Sequence, residues 1–233
     1  MLNACLGDTR QTLRRILCLG AHSDDIEIGC GGSILRLLKE DADLEISWVV
    51  LSSTPQRRRE ALYSARRFLK GASRTKIIIK GFRDGFFPYH GGRIKEFFEL
   101  LKNEVSPDLI FTHFRNDLHQ DHRLIAELTW NTFRDHFILE YEIPKYDGDL
   151  GSPNFFFGLD EPTADAKVRN ILQSFASQRK KPWFTRETFL ALLRIRGIEA
   201  NAKRKYAEAF YCRKVLLSDS VRLRPRAPER RGR

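Results

Sequence analysis

His22, Asp24 and Asp25 fall within one four-residue stretch, directly after the apolar run Ile16 to Ala21. A histidine and a carboxylate three residues apart on one loop can turn toward a single metal ion. That leaves Asp24 over, and an uncommitted carboxylate beside an acidified water is what a hydrolytic metal site uses as its base. The plainer alternative is that Asp24-Asp25 simply starts a helix, since aspartate is a common N-cap. A second cluster lies about a hundred residues on, where the run Asp108 to His113 leads into Phe114-Arg115-Asn116-Asp117-Leu118-His119-Gln120-Asp121-His122. His119 and His122 are again three apart, with Asp121 between them, while His113, Asn116 and Asp117 are read as shaping the loop. His22, Asp25 and one histidine of the second loop would make three nitrogen and oxygen donors and leave a position for water, the arrangement of catalytic rather than structural zinc.

Two such loops meet only if the chain brings them to the same edge. The run Ile16 to Ala21 reads as a buried strand, followed by a glycine cluster and a helix from Ser33. Leu44 to Leu51, Thr75 to Phe82 and Asp108 to His113 read as further strands. Between them, Arg57 to Lys70 and Arg93 to Val105 carry apolar residues near the helical period, and Leu124 to Phe133 reads as a helix opened by the second loop. Strands alternating with helices at this spacing predict βαβ units and an α/β fold, a mostly parallel sheet with helices on both faces. In such a sheet ligands sit at the carboxyl ends of the strands, where both polar clusters fall. Farther on, Phe137 to Ile143 is a candidate strand and Pro144 to Pro162 a long loop rich in Gly, Pro and Asp, of the kind that walls a substrate. Helices are expected at about Ala164 to Gln178 and Thr185 to Arg196, and a late strand at Ala209 to Leu217.

The 233 residues fit one domain, assigned to 1–221, with a core of ordinary size given 42% hydrophobic residues. No stretch approaches the ~18 uninterrupted apolar residues of a transmembrane segment, and the first residues lack the pattern of a signal peptide, which predicts a cytoplasmic protein. Cys5, Cys18, Cys30 and Cys212 contain no CxxC pair, against a thiolate zinc site. The net charge of +11 invites a nucleic-acid reading. Much of it is concentrated in residues 222–233, six arginines against Glu229, expected to be a disordered basic tail. The remaining basic runs look like separate helix faces and loops. They favour an anionic partner such as a nucleotide-sugar, a phosphorylated lipid or a membrane surface, with no specific nucleic acid expected.

His22-Ser23-Asp24-Asp25 with glycines after it, together with His119-Gln120-Asp121-His122, resembles the PIG-L/LmbE family of zinc-dependent N-deacetylases, which act on N-acetylglucosaminyl groups. The similarity covers most of the chain. Arg57-Arg58-Arg59-Glu60 is similar to the family's Arg-x-x-Glu helix, Arg83-Asp84-Gly85 to its sugar-contacting loop, and Tyr206-Ala207-Glu208-Ala209-Phe210 to its late strand. Ser23 stands where the family usually has proline. The resemblance implies a Rossmann-like three-layer α/β/α fold, zinc (or another divalent ion such as Fe2+) on His22, Asp25 and His122, and Asp24 as general base. It further implies His119 as oxyanion partner or proton donor, and Asp121 as the group that holds His119 or His122 in its tautomer. Arg57 and Asp84 become candidates for sugar hydroxyls or a phosphate. Three consecutive arginines more often make a solvated helix face, and Asp-Gly a turn.

The expected activity is hydrolytic removal of the acetyl group from an N-acetylglucosamine-type sugar or conjugate, with a homo-oligomer as a candidate assembly. The competing class is a binding protein that uses its basic surface for nucleic acid or anionic lipid. A binder has no need of Asp24.

Overall fold

A computed structural model describes residues 13–216; Cys5, the end of the expected late strand and the basic tail at 222–233 lie outside them. The chain runs β1 (Arg15–Gly20), α1 (Asp25–Glu40), β2 (Glu45–Val50), α2 (Pro55–Phe68), β3 (Arg74–Ile79), α3 (Gly91–Glu104) and β4 (Leu109–His113). It continues with α4 (Gln120–Thr132), β5 (Phe137–Tyr141), β6 (Phe155–Leu159), α5 (Glu161–Ser174), α6 (Arg186–Glu199) and β7 (Tyr206–Cys212). The strands form one sheet in the order β3-β2-β1-β4-β5-β7-β6. The first five are parallel, and β7 runs antiparallel to both β5 and β6.

Side chains alternate across the pleat, so β1 splits its apolar residues between two cores. Ile16 and Cys18 join Ile34 of α1, Phe68 of α2 and Val168 of α5 on one face. Leu17 and Leu19 join Ile94 and Phe98 of α3 and Ile125 of α4 on the other. This is the three-layer α/β/α arrangement expected. No helix among the described residues is long and apolar enough to cross a membrane.

Two elements differ from expectation. The glycine cluster is not a loop before a helix; α1 begins at Asp25 and contains Gly29, Gly31 and Gly32. Each glycine meets a large neighbour: a Cβ would stand 2.2 Å from Tyr141 at Gly29, 2.6 Å from Phe68 at Gly31 and 2.5 Å from Leu159 at Gly32. Their smallness serves close packing of the helix, which outweighs their poor helix propensity. Glu208 and Lys167 reinforce the same spot. The Glu208 carboxylate accepts from the N–H groups of Gly32 and Ser33 at 2.7 and 2.6 Å, and Lys167 Nζ donates to the Ile28 carbonyl at 2.6 Å. This buried ion pair thus serves both members of an i, i+4 backbone pair in α1.

Second, the stretch expected to be a loop from Pro144 to Pro162 contains β6, which pairs with β7 from Phe155↔Phe210 to Leu159↔Tyr206. Its Phe-Phe-Phe-Gly-Leu run is too short and uniform to show a period, and the Gly, Pro and Asp residues before it dominate the sequence signal.

Candidate active site

β1 and β4 are adjacent in the sheet, and the strand order reverses direction at them, with β2 and β3 on one side and β5 on the other. A crevice opens at such a switch point beyond the strand ends. The loop after β1 carries His22, Ser23 and Asp24. The loop after β4 ends at His119, and α4 starts at Gln120. Both polar clusters therefore converge on one cavity of about 430 Å3, lined among others by His22, Asp24, Asp25, Arg57, Asp84, His119 and His122.

Three atoms face one another in that cavity. His22 Nδ1 lies 3.2 Å from His122 Nε2 and 3.4 Å from Asp25 Oδ2, and His122 Nε2 lies 3.6 Å from Asp25 Oδ2. A tetrahedral ion with ligands at ~2.1 Å would separate them by ~3.4 Å. The opposite sides of the rings are held in the sense that ligation requires. His122 Nδ1 is 2.9 Å from Asp117 Oδ2, and His22 Nε2 is 3.2 Å from Asp121 Oδ2 and 3.0 Å from Asp84 Oδ1. Each carboxylate accepts a hydrogen bond from the ring N–H it faces, which turns the other ring nitrogen toward the triangle. The spacing therefore fits a divalent ion on these three residues; at His22 burial lowers the pKa, but Asp25, Asp121 and Asp84 outweigh it and raise it well above its usual value.

Asp24 occupies the N-cap position of α1, so a helix does start here as the plainer reading expects, but its side chain makes no capping bond. Its Oδ1 instead accepts from Arg57 Nη2 at 2.7 Å. Burial raises the Asp24 pKa, against the opposing charge of Arg57. Burial has the same sense on Asp25, but the neighbouring His122, His113 and His22 override it and hold this carboxyl well below its usual range. Burial, aided by His113, pushes His122 down to about 4, so the ring is neutral. His119 is also lowered, by burial and by His22. Its Nδ1 accepts from the Asp121 N–H at 3.2 Å, which puts the ring proton of the neutral form on Nε2.

Two sequence expectations change, and Asp84 keeps its expected place at the cavity. Asp121 does not hold the ring of His119 or His122. Its carboxylate accepts from the N–H groups of Gly85 and Phe87 at 2.7 and 3.1 Å and orients His22, because it points away from its neighbours in sequence, toward the segment between β3 and α3 and the β1 loop. Arg57, the inward member of its triplet, is engaged by Asp24, Glu60 and Ser177 rather than left for a sugar. Asp84 contacts His22 while remaining 74% exposed at the cavity.

Sequence reasoning undervalued His113 and Asp117. His113 is fully buried, its Nε2 lies 3.1 Å from Asp25 Oδ2, and its ring stacks on His122 at 3.9 Å between centroids. Asp117 holds the His122 ring and accepts from the His119 N–H at 2.8 Å. The signal was present: a histidine ending a largely apolar strand, and an aspartate five residues before a candidate ligand.

Residues 17–133, half of the chain, match the family model described as PIG-L: GlcNAc-PI de-N-acetylase. The chain belongs to the PIG-L family. Among curated proteins it is similar to an uncharacterized deacetylase, YaiS, of Escherichia coli, at 29% identity over 155 residues, covering 62% of this chain and 82% of that one. The fold is similar to N,N'-diacetylchitobiose deacetylase from Pyrococcus horikoshii, with a TM-score of 0.66 and 22% identity over 85% of this chain and 83% of the other. It is also similar to the 4-carboxy-2-hydroxymuconate hydratase GalB of Pseudomonas putida, with a TM-score of 0.69 and 16% identity over 90% and 100% of the two chains. At these identities the two structures show the fold alone, and the second shows that it carries more than one chemistry. PIG-L membership, with the deacetylase relative, supports sugar N-deacetylation as the activity.

Proposed function

We propose that this PIG-L chain is a metal-dependent hydrolase that removes the acetyl group from an N-acetylglucosamine-type sugar or sugar conjugate. The observation that carries the reading is the triangle of His22 Nδ1, Asp25 Oδ2 and His122 Nε2 with the uncapped Asp24 carboxylate beside it. Two histidines and a carboxylate suit zinc, and also Fe2+. When bound, the ion supplies Lewis acidity toward a carbonyl and draws the pKa of a water toward ~7.

The chain's own residues account for the proton movements. Asp24, its basicity raised by burial, takes a proton from the attacking water as the new C–O bond forms at the acetamide carbon. Arg57 fixes that carboxylate by its 2.7 Å bond. His119 offers its Nε2–H to the carbonyl oxygen as negative charge develops there. Asp24 then returns the proton to the amine nitrogen as the C–N bond breaks, giving acetate and a free amino sugar. Asp84, exposed at the cavity, is the group left for a sugar hydroxyl. A binding protein that used the basic surface for nucleic acid or lipid would need neither the buried base nor the neutral His119.

The test is release of free amine from a panel of N-acetylglucosamine conjugates. Release that stops with a chelator, and falls about 10²- to 10⁴-fold in Asp24→Asn with metal content unchanged, is the expected result. Wild-type-like rates in that variant would remove Asp24 as the base.

A further inference from the structure

Residues 142–154, between β5 and β6, lie beyond the residues matched by the family model. They form one wall of the cavity through Ile143, Lys145, Tyr146 and Asp147. The segment is fastened at its root by Arg196 of α6. That buried guanidinium donates to both oxygens of Glu142, at 2.6 and 2.8 Å, and to the Gly151 carbonyl at 3.0 Å. On its other side the segment meets the loop after β4. Asp149 Oδ2 accepts from the Leu118 N–H at 2.7 Å.

Lys145 sits where these two loops join. Its ammonium is 3.0 Å from Asp117 Oδ2, pairs with Asp149 Oδ2, and reaches the Ile143 carbonyl at 3.5 Å; the side chain is only 10% exposed. Although it lines the cavity, its donors face groups of the protein. Asp117 is the residue that matters here, because one of its oxygens holds the His122 ring and the other the His119 backbone. Without a cation, two buried carboxylates, Asp117 and Asp149, would face each other across this junction.

We infer that Lys145 is a positioning residue: it clamps Asp117, and through Asp117 it sets His122 and His119 together with the cavity wall as one unit. Its effect on turnover rests on the deacetylase reading; the clamp itself is a property of the chain and is measurable without metal or substrate.

The experiment uses the full chain, metal-free and isotopically labelled at the histidine nitrogens. The His122 Nδ1 proton, held against Asp117, gives a protected imidazole resonance in the wild type. In Lys145→Met it exchanges with solvent about tenfold faster or more, and in Lys145→Arg the protection returns. A wild type without a protected His122 proton, or exchange in Lys145→Met within about twofold of wild type, overturns the inference. Should Lys145→Met fail to fold by circular dichroism, Asp149→Asn loosens the clamp from its far side and carries the same expectation. Steady-state kinetics give a second reading. A fall in kcat of about ten- to a hundredfold with KM within about twofold supports positioning, whereas a raised KM with unchanged kcat would make Lys145 a substrate contact instead. A protected proton in a chain that releases no amine would fell the deacetylase reading and leave the clamp standing.

Discussion

At the scale of single residues, the site separates adjacent carboxylates by environment. Asp24 and Asp25 are neighbours in sequence, yet burial raises the first, and three histidines lower the second despite burial. Glu27 carries the same logic further. It is fully buried, no group stands within ideal hydrogen-bond geometry of either carboxyl oxygen among the described residues, and burial, only partly opposed by the nearby Ser64 hydroxyl, raises its pKa from 4.5 to about 8. Between those values the unfolded chain gives up a proton that the folded chain keeps. The folded state then binds more protons, so the contribution of Glu27 to stability declines as pH rises from 4.5 to about 8. Glu27→Gln removes the ionisation but keeps the shape. Thermal melts across this range are expected to show the variant more stable than wild type near neutrality and the difference vanishing toward pH 4.5. A difference independent of pH would mean that Glu27 is ionised in the fold.

At the scale of elements, α1 is closely constrained by its neighbours. Its glycines lie against Tyr141, Phe68 and Leu159. Tyr141 cannot yield easily, since it is fully buried and its hydroxyl donates to the Leu19 carbonyl at 2.6 Å. Gly29→Ala is therefore expected to cost about 1–3 kcal/mol through overpacking and to displace the helix whose first residue is Asp25. Gly92→Ala in α3, where a Cβ meets nothing within 4 Å, is the matched control and should be neutral or stabilising by up to about 1 kcal/mol. Equal effects in the two variants by urea denaturation would rule out packing as the reason for the α1 glycines.

At the scale of the whole molecule, the site exists only because distant loops meet. The three inward atoms come from the β1 loop and the first turns of α1 and α4, some hundred residues apart. An ion that joins them ties two regions of the native chain that the unfolded chain leaves apart, so it stabilises by mass action, about 2.7 kcal/mol when free metal is a hundred times Kd. Thermal melts with added zinc should shift upward in the wild type and not in His122→Ala. A shift of the same size in both would place the ion elsewhere.

The amino-acid sequence by itself determined the α/β class, because strand and helix periods alternate along it from Ile16 to Phe133. It also brought out both polar clusters, because a histidine and aspartates directly after an apolar run are local features. The family followed from the same two motifs. What it could not determine was anything that depends on which side chain meets which across the fold. Asp121 reads as a partner of its neighbours in sequence and turns out to hold His22; Arg57 reads as a sugar contact and is bonded to Asp24. His113 and Asp117 look like loop residues until the β1–β4 adjacency sets one beside Asp25 and the other behind His122. The glycines of α1 signal a turn until Tyr141 and Phe68 are packed against them. Periodicity is written in short-range order along the chain, whereas hydrogen-bond partners are chosen by distances of a few ångströms between elements far apart in sequence, and only the tertiary structure decides those.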